Sequence, residues 1–161
     1  MTLKVDHITA GYTQVPVIKE VSFEVQSGEI CGLIGLNGAG KSTTIKCITN
    51  FIQPFSGEIS IQGHTVEESV RDYRKLIAVI PETPVLYEEL TLEEHINLTA
   101  MAYGLDMEDT WKKADKLLEL FKLSDKKKFF PVHFSKGMKQ KVMIICAFLV
   151  EPSLYIIDEP F

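Results

Sequence analysis

The chain has 161 residues, with 17 lysines and arginines against 22 aspartates and glutamates, so its formal net charge is −5. Hydrophobic residues make up 45% of it, an ordinary globular composition that excludes a disordered chain. Because acidic residues outnumber basic ones, the composition argues against a protein that coats nucleic acid without sequence specificity. The longest apolar run, at 142–150, is well short of the ~20 residues that a helix needs to cross a bilayer. The first ten residues lack the apolar region of a secretory signal.

The first third of the chain reads as strands. Apolar and polar residues alternate at 3–9, 21–25 and 58–61, which predicts strands with one face in solvent. The run at 30–34 is apolar on both faces and predicts a central, buried parallel strand. A helix is expected over 41–50.

The rest of the chain is mainly helical in pattern. Residues 76–80 form a second doubly apolar strand, and helices are predicted over 91–103, 108–122 and 135–150. Thr91 and Glu94 have the spacing of a capping box. A last apolar strand is expected at 154–157. This order predicts an α/β nucleotide-binding core with an inserted helical subdomain.

The three cysteines, Cys31, Cys47 and Cys146, all lie in apolar runs. That placement predicts buried, reduced thiols.

A phosphate-binding loop stands between the strand predicted at 30–34 and the helix that follows. Residues 35–42, GLNGAGKS, match G-x-x-x-x-G-K-[ST] in full. Glycines let successive backbone N–H groups point at one anion, and the helix dipole attracts the same charge. The Lys41 ammonium supplies a charge for the phosphates, and the Ser42 hydroxyl can bind Mg²⁺. The alternative, a glycine-rich turn that only caps a helix, accounts for fewer of these features.

Two acidic residues follow the last predicted strand. In open α/β sheets, ligands bind at the carboxyl ends of strands. We therefore predict that Asp158 holds Mg²⁺ and that Glu159 orients the water that attacks the γ-phosphate. An apolar run followed by Asp-Glu is also a common strand-end turn, and it gains meaning here from the phosphate loop.

The motif SKGMKQ at 135–140 opens the last predicted helix. Ser135 is placed as its N-cap, and the missing side chain of Gly137 allows a ligand to approach the first-turn N–H groups. The alternative is a capped helix with a solvated lysine face.

Taken together, these motifs resemble the ATP-binding subunits of ABC transporters. The variant SKGMKQ, where other members have SGGQ, is most similar to exporters of the Ecs and bacitracin-resistance types. The resemblance implies a P-loop NTPase of the ABC ATPase class, α/β in fold, with an N-terminal antiparallel β subdomain and an inserted α-helical subdomain. It divides the chain into the β subdomain and P-loop core (1–83), the helical subdomain (84–150) and the strand bearing the acid pair (151–161).

The resemblance also assigns roles to residues. Tyr12 matches the aromatic residue that stacks on adenine, although a tyrosine at that place could equally belong to a core or sheet edge. Glu82 stands where the family usually has a glutamine that reaches Mg²⁺, and a carboxylate can bind the metal but cannot donate a hydrogen bond. The implied metal ligands are Ser42, Glu82 and Asp158, and the implied catalytic residues are Lys41 and Glu159. The implied nucleotide contacts are Tyr12, Gly35, Leu36, Asn37, Gly38, Ala39, Gly40, Lys41, Ser42, Thr43, and, from across a dimer, Ser135, Gly137 and Met138.

The partners follow from the same resemblance. Two copies are expected to close head to tail as a homodimer around ATP and Mg²⁺. A transmembrane subunit is expected to dock on the acidic region 84–98, although these acidic residues could equally form a solvated helix face. Docking would place the protein in the cytoplasm, on the inner face of the membrane. No nucleic-acid partner is expected. The alternatives are a soluble ABC ATPase that acts on ribosomes or nucleic acid, and a module that binds nucleotide without turning it over.

Family members continue beyond the position of Glu159, so the C-terminal core strands and the switch histidine are expected to be missing. Unpaired edges on the remaining core strands would then favour aggregation or pairing with another chain. We expect the chain to bind nucleotide weakly and to hydrolyse little of it.

Overall fold

The computed structural model describes residues 2–158 and divides the chain into two compact units. The first ends at Ile77 and the second begins at Ala78. The finer division predicted at residues 83 and 150 stays a prediction.

The first unit contains a four-stranded sheet in the order β2-β1-β3-β4. Its strands are β1 (Leu3–Ala10), β2 (Ile18–Val25), β3 (Ser56–Ile61) and β4 (His64–Thr65). Each neighbouring pair is antiparallel. β1 buries Leu3, Val5, Ile8 and Ala10, and a register shift between Val5 and Ile8 keeps all four on one face, which is the core face of the sheet. The predicted antiparallel β subdomain is confirmed.

Two helices accompany this sheet, α1 (Lys41–Ile48) and α2 (Val70–Lys75). The Tyr73 side chain is fully buried, and its hydroxyl donates a hydrogen bond of 2.8 Å to the Ile48 carbonyl. This bond satisfies a carbonyl in the last turn of α1, so it fixes the end of the helix that follows the phosphate loop.

The strand predicted at 30–34 is absent, and that prediction is wrong. Ile30 is 99% exposed and Ile34 is 95% exposed. A parallel strand needs a hydrogen-bonded neighbour at its edge, and within residues 2–158 no strand pairs with this segment. For the same reason Cys31 is exposed, whereas Cys47 is buried and Cys146 is half-buried. The predicted burial of all three thiols is therefore wrong for Cys31.

A small sheet is formed by β5 (Ile77–Ile80) and β6 (Leu154–Ile157), and all of it except Ile77 belongs to the second unit. The helices of this unit are α3 (Leu92–Tyr103), α4 (Met107–Leu120) and α5 (Lys136–Val150). Short 3₁₀ turns at Ser124–Lys126 and Pro131–His133 connect the last two.

The helix starts follow the local sequence closely. Thr91 and Glu94 form the predicted capping box, in which each side chain bonds the backbone N–H of the other residue. Ser135 caps α5 as predicted, with its hydroxyl accepting from the Met138 N–H at 3.2 Å. The three long helices enclose one apolar core. Its buried members are Leu92, Ile96, Ala114, Leu118, Leu123, Phe134, Val142, Ile145 and Leu149.

Candidate functional site

The phosphate loop lies in the first unit and runs directly into α1. Gly38 and Gly40 have φ angles of 84° and 94°, in the left-handed region that favours glycine. The Ala39 N–H donates to the Leu36 carbonyl at 3.1 Å, which closes the turn. Gly40 is the N-cap of α1 and offers no side chain, so the N–H groups of the first turn remain open to an anion.

Lys41, the first residue of α1, turns its side chain back over the loop. Its ammonium donates to the carbonyl oxygens of Gly35 at 2.7 Å and Leu36 at 3.2 Å. The structure thus brings a positive charge and the loop backbone together, as predicted. Leu36 and Asn37 are exposed, as is Ser42, while Thr43 is buried.

Gly40 is the position of the loop least able to accept a side chain. A Cβ atom there would overlap Cγ2 of Ile18, and the positive φ adds strain. We expect Gly40→Ala to displace the start of α1 and to weaken nucleotide binding at least tenfold, roughly the effect of one lost charge-assisted hydrogen bond. Titration calorimetry with Mg·ATP measures this change. Gly63→Ala is the matched control, since its φ is 83° but a Cβ there meets open space. Equal affinity in the two variants would contradict the expectation.

Tyr12 is anchored to the helix that the loop precedes. Its ring is 59% exposed, and its hydroxyl accepts a hydrogen bond of 3.2 Å from the Lys46 ammonium. Hydrogen bonding with the Thr43 side chain, and then with Lys46, lowers the pKa of the Tyr12 hydroxyl. The Lys46 ammonium also lies over the ring, 4.9 Å from its centroid, so any base stacked on Tyr12 would use the opposite face. The exposure of the ring argues against a core tyrosine, and the adenine contact stays a prediction.

Lys46 is a residue that sequence reasoning missed. It lies three positions after Thr43 on α1, so both side chains can reach the same partner. The three-residue spacing is visible in the sequence. The shared partner, Tyr12 in the loop after β1, could be recognised only from the tertiary structure.

Two of the predicted acidic residues lie at one edge of the second unit's sheet. The Asp158 N–H donates to the Ile80 carbonyl at 2.9 Å. Because Asp158 follows β6 and Ile80 ends β5, both strands finish at this edge. Glu82 follows β5 by two residues and is exposed. Glu159 lies outside the described residues.

A metal site made by the protein alone is not found in residues 2–158, where no three His, Cys, Asp or Glu side chains gather around one point. Magnesium in nucleotide sites commonly takes one or two protein oxygens together with phosphates and waters. The pair of Glu82 and Asp158, with Ser42 from the loop, therefore stays a prediction.

Gln140 is a second residue that sequence reasoning missed. It is buried in α5, and its Nε2 donates to the Pro81 carbonyl at 3.0 Å. The other amide atom, Oε1, is buried and has no hydrogen-bond partner within the described part of the chain. This hydrogen bond connects α5, the helix capped by Ser135, to the Pro81 carbonyl, which lies immediately before Glu82.

The start of α5 is arranged as the motif predicts, with one exception. Ser135 and Gly137 are exposed, and a Cβ on Gly137 would meet open space, so a ligand could approach the backbone there. The Met138 side chain instead packs against the helical core, and its N–H is bonded to Ser135.

Comparison with models of known protein families decides the affiliation, since residues 18–161 match the family described as ABC transporter. The chain belongs to that family. This ABC transporter chain is 58% identical over 159 residues to the ABC-type transporter ATP-binding protein EcsA of Bacillus subtilis, covering 99% of the chain and 64% of EcsA. It is 35% identical over 158 residues to the SkfA peptide export ATP-binding protein SkfE of the same species, covering 98% of the chain and 65% of SkfE.

A solved structure of an ATP-binding subunit of an ABC transporter superposes with a TM-score of 0.96 at 56% sequence identity. The alignment covers 100% of this ABC transporter chain and 67% of that structure. The mixed α/β ABC ATPase fold is therefore confirmed. The chain spans about two thirds of the length of these relatives. Among the described residues, no helix is both long and apolar enough to cross a membrane.

Proposed function

We propose that the chain binds Mg·ATP in the loop formed by residues 35–43 and acts as the ATP-binding part of a membrane transporter. The observation that carries this proposal is the Lys41 ammonium held over a glycine loop at the N-terminus of α1. Phosphate oxygens would replace the Gly35 and Leu36 carbonyls as acceptors of Lys41, with a gain because they are charged. Tyr12, tied to Thr43 and Lys46 of α1, would stack on the adenine.

Hydrolysis would use the acidic residues of the second unit. In this proposal Ser42, Glu82 and Asp158 contribute oxygen ligands to Mg²⁺, while Glu159 orients the attacking water. The metal would neutralise charge that develops on the phosphates. The Gln140 bond to Pro81 supports the placement of Glu82, because it restrains the peptide just before that carboxylate.

Closure around ATP would need two copies. In a head-to-tail homodimer, Ser135 and Gly137 of one copy would face the γ-phosphate bound by the other. Their exposure supports this arrangement. The Met138 side chain packs against the core and its N–H donates to Ser135, so a contact from Met138 to the phosphate would need that capping bond to give way.

The energy of closure would be passed to a transmembrane subunit at the inner face of the membrane. The segment at 85–90, called the docking segment below, supports this step. It exposes Val85 and Tyr87, at 74% and 63%, beside the acidic Glu88 and Glu89. Apolar side chains within an acidic rim suit an amphipathic partner helix with basic residues. The likeness to SkfE, a peptide export protein by name, supports export as the direction of transport. The comparisons favour a transporter over the soluble alternative, since these relatives bear transporter names.

The test compares ATP with inorganic tripolyphosphate, each with Mg²⁺, by titration calorimetry on the 161-residue chain. Because stacking on a base is worth about 1–3 kcal/mol, Tyr12→Ala should weaken ATP binding by about five- to a hundredfold and leave tripolyphosphate binding unchanged. Tyr87→Ala, which removes another exposed tyrosine, should change neither affinity. Absence of Mg·ATP binding, or equal losses of both ligands in Tyr12→Ala, would overturn the proposal.

A further inference from the structure

His95 is a buried polar residue for which the proposed ATP site has no use. It lies in the first turn of α3 and is only 5% exposed. Both ring nitrogens are engaged: Nδ1 lies 2.8 Å from the Thr91 carbonyl, and Nε2 lies 3.0 Å from the Tyr87 N–H. The imidazole therefore joins the start of α3 to the middle of the docking segment.

The two partners fix the protonation state of the ring. A carbonyl oxygen only accepts, so Nδ1 must carry the hydrogen that bonds to Thr91. A backbone N–H only donates, so Nε2 must present its lone pair to Tyr87. Only the neutral Nδ1–H tautomer makes both bonds. A proton on Nε2 would set two donors against each other and break the bond to Tyr87.

Other titratable groups around His95 are either neutral or engaged elsewhere. A cavity of about 210 Å³ beside the ring is lined by Tyr87 from the docking segment, Tyr103 from α3 and Cys146 from α5. Burial raises the pKa of the Cys146 thiol, so it stays neutral.

The charged groups on the neighbouring elements have hydrogen-bond or ion-pair partners of their own, although the Glu94 carboxylate also interacts electrostatically with His95. The Glu94 carboxylate accepts from the Thr91 N–H and hydroxyl, both at 2.7 Å. Glu88 of the docking segment is 3.9 Å from the Lys139 ammonium of α5. The part of β5 that lines the cavity contributes only Ala78 and Val79.

We propose that His95 is a positioning residue whose neutral ring holds the Tyr87 amide of the docking segment against α3, and that protonation of the ring frees this amide. Val85, bonded to the Met143 sulfur, and Leu86, packed on the helical core, keep the ends of the contact in place. The hydrogen bond between the Tyr87 N–H and His95 is present in this chain whether or not the docking segment binds a partner. The consequence for transport rests on the proposed function, in which this segment contacts the membrane partner.

The direction of the pH effect follows from the tautomer. A proton added to Nε2 would remove the acceptor of the Tyr87 amide. Protonation of the ring can therefore only weaken this bond, so any effect of pH has its loss of protection on the acidic side.

The experiment measures amide hydrogen exchange at Tyr87 by NMR over a series of pH values from about pH 8 downward, expressed as a protection factor relative to the unstructured chain. Loss of one hydrogen bond predicts a drop in protection of about two- to tenfold in acid. His95→Gln keeps an acceptor at the ring's position but does not titrate, so protection should persist and no longer depend on pH. His133→Gln, at an exposed histidine, should retain the wild-type pH dependence.

A second measurement needs no variant. Long-range ¹H–¹⁵N spectra of the histidine rings distinguish the tautomers, and at about pH 8 they should show His95 protonated at Nδ1 alone. Protonation at Nε2 in that spectrum, or Tyr87 protection that does not change with pH in the wild type, would overturn the proposal. Neither measurement requires nucleotide, so a failure of ATP binding would leave this result standing.

Discussion

Replacing Lys41 with alanine is expected to weaken Mg·ATP binding by about tenfold to a hundredfold, because hydrogen bonds to charged groups are worth roughly 1.5–3 kcal/mol. The variant removes the ammonium that lies 2.7 Å from the Gly35 carbonyl, at the N-terminus of α1. The loop backbone and Tyr12 stay in place, so residual affinity should remain. Titration with a fluorescent ATP analogue measures the change.

Lys116→Ala is the matched control for the charge. It removes an exposed lysine of α4, so the net charge of the two variants is the same. ATP affinity should be unchanged in this control. The prediction fails if both substitutions weaken binding equally, since the effect would then come from overall charge and not from the loop. It also fails if AMP binding falls as much as ATP binding in Lys41→Ala, because the lysine is assigned to the β- and γ-phosphates.

Leu118→Ala should lower the free energy of unfolding of the helical core by about 2–5 kcal/mol, the range measured when a large buried side chain is truncated. Leu118 is fully buried in α4, within the cluster that also contains Ile96 and Ile145. The substitution leaves a cavity among three helices that can relax only in part. Urea unfolding followed by circular dichroism measures the change through the midpoint.

Leu120→Ala makes the same chemical change two residues further along α4, where the side chain is 71% exposed. It should alter stability by no more than about 0.5 kcal/mol. A loss in Leu120→Ala as large as that in Leu118→Ala would mean that the helix faces are assigned wrongly. An unchanged midpoint in Leu118→Ala would mean that the core is not packed as described.

Features set by neighbouring residues could be predicted from the sequence. The capping box of Thr91 and Glu94, the Ser135 cap and the glycine loop before Lys41 each depend on a few adjacent positions, and the structure confirms them. The helical core followed from apolar residues at three- and four-residue spacing. Family motifs then tied these local features to one fold, which the family match confirms.

Features that depend on distant partners could not be predicted in this way. The apolar run at 30–34 has the pattern of a buried strand, but its exposure depends on whether another strand pairs with it. The contacts of Lys46 with Tyr12 and of Gln140 with Pro81 cross 34 and 59 positions of the chain. No local pattern marks such pairs. The placement of the acidic residues around a metal stays a prediction for the same reason.

The side-chain amide of Gln140 links α5 to Pro81, the residue that follows β5. A hydrogen bond already at 3.0 Å tolerates little stretching before it weakens. A displacement of about 1 Å at this point of α5 must therefore drag the Pro81 peptide with it or break the bond. A ligand that moves the Ser135 end of α5 would therefore either shift the backbone that carries Glu82 or break this bond, without touching Glu82 itself.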